Sequence, residues 1–274
     1  MIHLEKPRQC LNAIELKSGD LARSLPAPLC RIAPYIYQIF LLILIPVALF
    51  LDSRTETLAQ QHVLGVICLG ILYVSTRFSP PRERRQVWIM VGIATCVELW
   101  SSLVWGVYRY RFDNVPLFVP WGHGLVYLFA LRAARTPLLE KHGTLAARLA
   151  FGCATVWAIG GLTVEPLLLG RVDILGALFW PLFAWFMMKP SAPIFAAAFF
   201  ITSYLELWGT SFGNWAWQVY APFTHIPSGN PPSVISAGYC VMDFLSLQLA
   251  LSLPAWSLTA WRPRLRFRPA DTPS

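Results

Sequence analysis

Residues 35–52 read YIYQIFLLILIPVALFLD, eighteen positions with no Lys or Arg and a single acid, Asp52, at the far end. As a helix rising 1.5 Å per residue this run spans about 27 Å, close to the thickness of a bilayer's hydrocarbon core. Outward from it, further apolar runs fall at roughly 57–76, 87–108, 115–134, 149–169, 172–188, 193–208 and 232–256. The second is the weakest, its compact apolar part being only Val63–Val74. The sixth and seventh are short, meet at Lys189-Pro190, and are expected to pack as a tight hairpin. Together the runs predict an all-α polytopic membrane protein with eight transmembrane helices.

Composition agrees with that reading. Apolar residues make up 56% of the 274-residue chain and charged residues 13%, with 12 Trp and 17 Phe, and the mean hydropathy is +0.52. So few charges cannot cover a water-soluble shell. The net charge of +8 does not point to nucleic acid, because the basic residues sit in short clusters between apolar runs. Such clusters orient membrane helices and lie against anionic headgroups. With both termini on the cytoplasmic side, 18 of the 22 Lys and Arg residues are cytoplasmic and only Arg54, Arg109, Arg111 and Arg171 lie outside. An odd helix count would scatter the clusters over both faces. The expected location is a bacterial inner membrane. The first 34 residues are mixed polar, with no apolar core that would mark a cleavable signal peptide. The six cysteines, Cys10, Cys30, Cys68, Cys96, Cys153 and Cys240, follow no disulfide or metal-site spacing.

An internal repeat organises the chain. Glu98-Leu99-Trp100 is followed by Gly106-x-Tyr108-x-Tyr110 and Pro120-Trp121-Gly122-His123, while Glu206-Leu207-Trp208 is followed by Gly213-x-Trp215-x-Trp217 and Pro227-Ser228-Gly229-Asn230. Gly to Pro is 14 residues in both copies, and Glu to Gly is 8 in the first and 7 in the second. In this alignment His123 corresponds to Asn230, and Asp243 to Thr136. The pattern predicts two parallel four-helix units. The expected organisation is a cytoplasmic segment 1–34, a first repeat 35–134, a basic cytoplasmic linker 135–148, a second repeat 149–258 and a basic tail 259–274.

Ionisable groups at membrane depth are costly and therefore candidates for function. Glu98, Glu206 and Asp243 are the candidate catalytic acids. If the repeats pack face to face, the two glutamates approach a common axis, and a carboxyl that holds its proton there is a usable general acid. The alternative is that each acid bonds a neighbouring Trp, Tyr or backbone donor and only fixes packing. The candidate substrate-binding residues are Trp100, Tyr108, Tyr110, His123, Trp208, Trp215, Trp217 and Asn230. An interfacial aromatic belt would account for some of these rings. Their concentration in one repeated motif suits a wall that stabilises a carbocation by cation–π attraction, or one that binds a flat apolar ligand. His123 and His225 are possible proton carriers, although a lone His more often serves as a packed donor. Glu165 and Asp173, beside Arg171, read as a solvated surface group. The charge-free segment Gly209–Pro231 is long enough to fold back as a lid, with helix 8 beginning at Pro231-Pro232. HExxH, P-loop, GxSxG and GxGxxG motifs are all missing from the sequence.

Glu98…Gly106-x-Tyr108-x-Tyr110…Val115-Pro116-Leu117-x-Val119-Pro120-Trp121 resembles the carotenoid-biosynthesis membrane proteins that include the bacterioruberin-type carotenoid hydratases. Gly213-x-Trp215-x-Trp217 and Asn230 are similar to that family's second segment, although Asn230-Pro231-Pro232 departs from its Pro-Leu-x-Asn arrangement. The resemblance covers about a quarter of the chain. It implies a polytopic protein that adds water across a terminal double bond of a carotenoid. A looser likeness, through Cys96-Val97-Glu98, is to helical membrane terpene cyclases. The expectation is a membrane enzyme using acid catalysis on a lipophilic, isoprenoid or carotenoid-like substrate, by hydration or cyclisation, with no cofactor, no metal and no nucleic-acid partner. The competing expectation is a membrane carrier or binding protein for an apolar ligand. A third is a structural membrane subunit.

Overall fold

The computed structural model describes residues 32–252. Most of the predicted segment 1–34, the tail 259–274, Cys10, Cys30 and the basic residues of both ends lie outside the described residues. The described chain is mostly helical. Helix α1 (Ile36–Ser53) follows a single 3-10 turn, Ala33–Tyr35. Helix α2 (Leu58–Arg77) opens on a capping box, in which the Thr57 hydroxyl accepts from Gln60 N and the Gln60 side chain accepts from Thr57 N. This start extends α2 well before its compact apolar part. Helix α3 (Pro81–Glu98) runs into a π-helical segment, Leu99–Trp105, and then strand β1 (Tyr108–Tyr110). Helices α4 (Phe118–Ala133) and α5 (Pro137–Thr163) follow, then the short α6 (Glu165–Leu169), α7 (Ile174–Leu178) and α8 (Trp180–Met187). Helix α9 (Ala192–Ser211), strand β2 (Trp215–Trp217) and helix α10 (Ser236–Ser252) complete the described chain.

Among the described residues, five segments are long and apolar enough to cross a membrane: Ala33–Ser53, Leu58–Arg77, Pro81–Trp105, Pro137–Thr163 and Ala192–Ser211. Their outward faces carry large bare side chains, among them Val66 at 66% exposure and Val156 at 71%. So much exposed apolar surface is untenable in water and compatible with an integral membrane protein. Helices α4 and α10, with 16 and 17 residues, are shorter, as is the broken segment Ile174–Met187. Helix α4 buries twelve of its sixteen residues and forms the centre of the bundle, as expected of a helix apolar all round.

Helix starts account for the main boundary differences. The expected linker 135–148 is helical from Pro137, because Thr136 caps Leu139 N, Pro137 takes the first position and Glu140 sits in the first turn. Pro81 and Glu83 likewise start α3 six residues earlier than the apolar run does. Helix α10 begins at Ser236, one turn after Pro232. The α8–α9 hairpin forms as expected, with the Phe186 and Phe195 rings 4.7 Å apart.

Basic residues gather at one end of the bundle, where Glu83 receives Arg135 and Arg132 at 2.5 and 3.6 Å. The two strands lie at the other end. There Asp52 accepts from Gln61 and Asn214 at 2.9 and 2.7 Å, and Arg111 donates to the carbonyls of Asp52 and Thr55. Arg171 and Asp173 are not a solvated pair. Asp173 is fully buried and accepts from the backbone N–H groups of Gly176, Gly229 and Ser233, while Arg171 holds the carbonyls of Trp217, Gln218, Ser228 and Gly229. Together they fix the loop that follows β2.

Candidate functional site

Strands β1 and β2 pair antiparallel, with Tyr108 opposite Trp217, Arg109 opposite Ala216 and Tyr110 opposite Trp215. Both strands alternate buried, exposed, buried. Period-two alternation therefore turns all four aromatic side chains inward and leaves Arg109 and Ala216 outside. Gly106 and Gly213 precede the two strands, each at φ 72°, a left-handed conformation that glycine takes without steric cost.

Beneath the strands, the four rings meet the two glutamates. Glu98 Oε2 accepts from Tyr108 and Tyr110 hydroxyls at 2.7 and 2.8 Å. Glu206 Oε2 accepts from the Trp215 and Trp217 indoles at 2.9 and 3.1 Å. Each remaining oxygen has one partner: His123 Nε2 lies 2.8 Å from Glu98 Oε1, and the Tyr239 hydroxyl donates to Glu206 Oε1 at 2.7 Å. Rings bridge the two carboxylates twice. Tyr108 and Trp217 are 4.7 Å apart, and His123 stacks on Tyr239 at 5.1 Å. Both glutamates are buried. Burying a carboxylate requires this kind of saturation, because each unsatisfied oxygen would cost its full desolvation penalty.

Both copies thus place one acid oxygen against two ring donors, despite the unequal Glu-to-Gly spacing. The extra residue of the first copy is absorbed in the π-helical segment Leu99–Trp105, whereas α9 continues as an ordinary helix through the equivalent region. One inserted residue is what a π-bulge accommodates.

The acids and rings line a cavity of about 340 Å³ together with apolar side chains of α1, α2, α4 and α10. Glu98, Glu206, Tyr108, Tyr110, His123, Trp215 and Trp217 all line it. From the segment after α9, Trp215 and Trp217 of β2 reach the cavity. Four other candidates lie elsewhere. Trp100 is 61% exposed, being two residues, or about 200° of helical turn, from Glu98. Trp208 packs on Phe212 with ring centroids 5.0 Å apart. Asn230 supports β2, its Oδ1 accepting from Trp217 N at 2.9 Å. Asp243 is buried in α10, outside the cavity lining, and its Oδ2 has no hydrogen-bond partner among the described residues; the same holds for Tyr127 OH. His225 is exposed on the loop beyond β2.

Tyr239 is the site residue that the motif does not reveal. Its signal is the helix's one phenol, one helical turn before Asp243. Trp105, at the end of the π-helical segment, also lines the cavity and donates to the Pro222 carbonyl at 3.0 Å. Among the described residues no group of three or more His, Cys, Asp or Glu gathers as a metal site would require. Comparison with known protein families, with curated proteins and with solved structures finds no match to this chain.

Proposed function

We propose that this chain is an integral membrane enzyme that acts by acid catalysis on a double bond of a lipophilic, isoprenoid or carotenoid-like substrate. The observation that carries the reading is the pair of buried glutamates, ring-bridged to each other, on the wall of an otherwise apolar cavity. The motif resemblance to carotenoid hydratases points the same way.

The two acids differ in chemistry. Indole N–H groups donate only, so Glu206 Oε2 is held as an acceptor and suits a carboxylate that stabilises nearby positive charge. Glu98 instead shares a short contact with His123, a side chain whose two ring nitrogens can each donate or accept a proton. In the proposed step the Glu98–His123 pair delivers a proton to the alkene. The π bond breaks, a C–H bond forms, and the adjacent carbon becomes cationic between Tyr108, Trp215, Trp217 and the Glu206 carboxylate. Water adds to the cation and returns a proton to the pair, giving an alcohol. Attack by a second alkene of the same chain, followed by proton loss, would give a ring instead.

The register of the strands supports a duplicated architecture. Positions separated by 107 residues correspond, so Arg109 and Ala216 are equivalent and face each other, while Tyr108–Trp217 and Tyr110–Trp215 exchange under a two-fold rotation. We read the chain as two parallel four-helix units of eight spans, with α7 and α8 together making the sixth. The basic end lies in the cytoplasm and the strand end outside. The membrane would be a bacterial inner membrane.

A second reading is a binding or carrier protein. All four carboxylate oxygens already have protein partners, as a rigid apolar pocket without turnover would also have. Mass spectrometry of lipid extracts from cells with the wild type, Glu98→Gln or no protein separates the two. An enzyme changes a lipid's mass in a Glu98-dependent way, whereas a carrier changes only its amount or location.

A further inference from the structure

Helices α1 and α2 are joined by only four residues and pinned together at the strand end, where Gln61 reaches the Asp52 carboxylate. Away from that pin they pack on other helices. Tyr37 of α1 bonds the Leu125 carbonyl of α4, and Tyr204 of α9 bonds the Leu42 carbonyl of α1. On α2, Cys68 Sγ contacts the Phe118 carbonyl of α4. The cleft left between α1 and α2 reaches the acid cavity. Val47 and Leu51 on α1 and Ile67 on α2 line that cavity while remaining 48%, 48% and 53% exposed on the outer surface. Side chains that belong to both surfaces form the rim of an opening.

The opening continues along α2. A second, shallower groove shares Ile67 and Ile71 with the cavity and runs past Gly70 and Val74 to Ser75. From Leu64, which lines the cavity, to Ser75 is about 16 Å along the helix axis. Among the residues of this groove none is charged.

Resting on the reading above, we propose that the α1–α2 cleft is a lateral portal through which a single linear isoprenoid chain slides in from the bilayer, its reactive end at Glu98 and Glu206 and its tail in the groove beside Gly70. Three features select this occupant. The rim is apolar on both helices, the groove follows α2 from Ile67 to Ser75, and carboxyl and imidazole side chains stand only at the cavity end. A phospholipid would have to bring a charged headgroup and two chains through the same cleft.

Two bulky substitutions test the portal. Gly70→Trp puts an indole in the groove, where an added Cβ meets nothing within 4 Å. Val47→Trp narrows the rim. Val156→Trp, on a bare face of α5, is the control. The probes are tritiated farnesol and geranylgeraniol, which differ by one isoprene unit, bound to purified detergent-solubilised protein with excess dioleoylphosphatidylcholine as competitor.

Wild type and Val156→Trp are expected to bind geranylgeraniol more tightly than farnesol despite the phospholipid. Gly70→Trp should lose roughly tenfold or more on geranylgeraniol while keeping farnesol, since only the longer tail reaches the blocked groove. Val47→Trp should slow the binding of both. Equal binding by all four proteins, no binding by wild type, or displacement by the phospholipid overturns the portal. The catalytic reading fails separately, if wild type binds the chain and releases it unchanged. Conversion at the wild-type rate in both Gly70→Trp and Val47→Trp overturns the portal and leaves that reading intact.

Discussion

The His123 ring stacks on the Tyr239 ring at 5.1 Å with planes 17° apart, and the two rings hydrogen-bond different glutamates. Tyr239→Phe keeps the stack and removes only the donor to Glu206 Oε1. A buried carboxylate oxygen is then left without its partner, which costs about 1–3 kcal/mol. Thermal unfolding in detergent should therefore show a clear loss for Tyr239→Phe, and a smaller one for Tyr239→Phe combined with Glu206→Leu than the two single losses added together. Strict additivity would mean that the hydroxyl and the carboxylate do not interact.

The glutamate-to-glutamine variants follow from the same bonding. At position 206 an amide oxygen can still accept from both indoles while its NH2 donates to the Tyr239 hydroxyl. At position 98 the oxygen can accept from Tyr108 and Tyr110 while the NH2 donates to His123 Nε2. Both variants should accumulate to near wild-type levels. If the Glu98–His123 pair is the general acid, Glu98→Gln should reduce turnover by about 10²–10⁴-fold, read as product in lipid extracts. Trp215→Phe keeps an aromatic face and should cost less than Trp215→Ala.

Gly209 lies against the Trp215 indole so closely that an added Cβ would overlap the ring. Gly209→Ala must displace Trp215 and with it a hydrogen bond to Glu206. Overpacking of this kind costs about 1–3 kcal/mol. Gly92→Ala is the control, because a Cβ there meets nothing within 4 Å. A normal melting temperature for Gly209→Ala would show that the indole can move freely.

Much of this site was legible from the repeated motif, because an acid, a glycine and two alternating aromatics are close in sequence and their geometry is local. What escaped depended on contacts between distant segments. The alignment paired His123 with Asn230, yet the residue that contacts the second acid as His123 contacts the first is Tyr239. From Tyr110 to His123 is 13 residues and from Trp217 to Tyr239 is 22, so the second connection is longer and the correspondence slips by nine. If the two halves are matched on Gly122-His123 and Gly238-Tyr239 instead, Asp243 stands opposite Tyr127. Trp100 and Trp208 belong to the motif but lie on the wrong helical face for the cavity. The wall made by α1 and α2 carried no mark at all, since one apolar run looks like another until packing decides which face is lined.

Sidedness can be read with single cysteines in a background lacking the native ones. Lys141 lies in the first turns of α5 at the basic end, and Phe223 lies on the strand-end loop at 83% exposure. A membrane-impermeant maleimide applied to intact cells should label Phe223→Cys and leave Lys141→Cys unlabelled until the membrane is opened. A cysteine at Arg264 should behave like the one at Lys141. Labelling of Lys141→Cys and Arg264→Cys from opposite sides would remove the eight-span topology.

Asp243 and Tyr127 present the remaining test of roles. Both are buried, and Asp243 Oδ2 and Tyr127 OH lack hydrogen-bond partners among the described residues. Burying a polar group without such a bond is unfavourable, and an ionised carboxylate is costlier to bury than a neutral amide. Asp243→Asn should therefore hold or raise the melting temperature. Because Asp243 lies outside the cavity lining, the same variant should leave product formation at the wild-type level, in contrast to Glu98→Gln. A loss of turnover in Asp243→Asn with undiminished stability would instead return Asp243 to the catalytic set, acting through Tyr239 one turn away on α10. Combining Asp243→Asn with Tyr239→Phe would then decide the matter, since a shared route gives a double variant no worse than the more damaging single one.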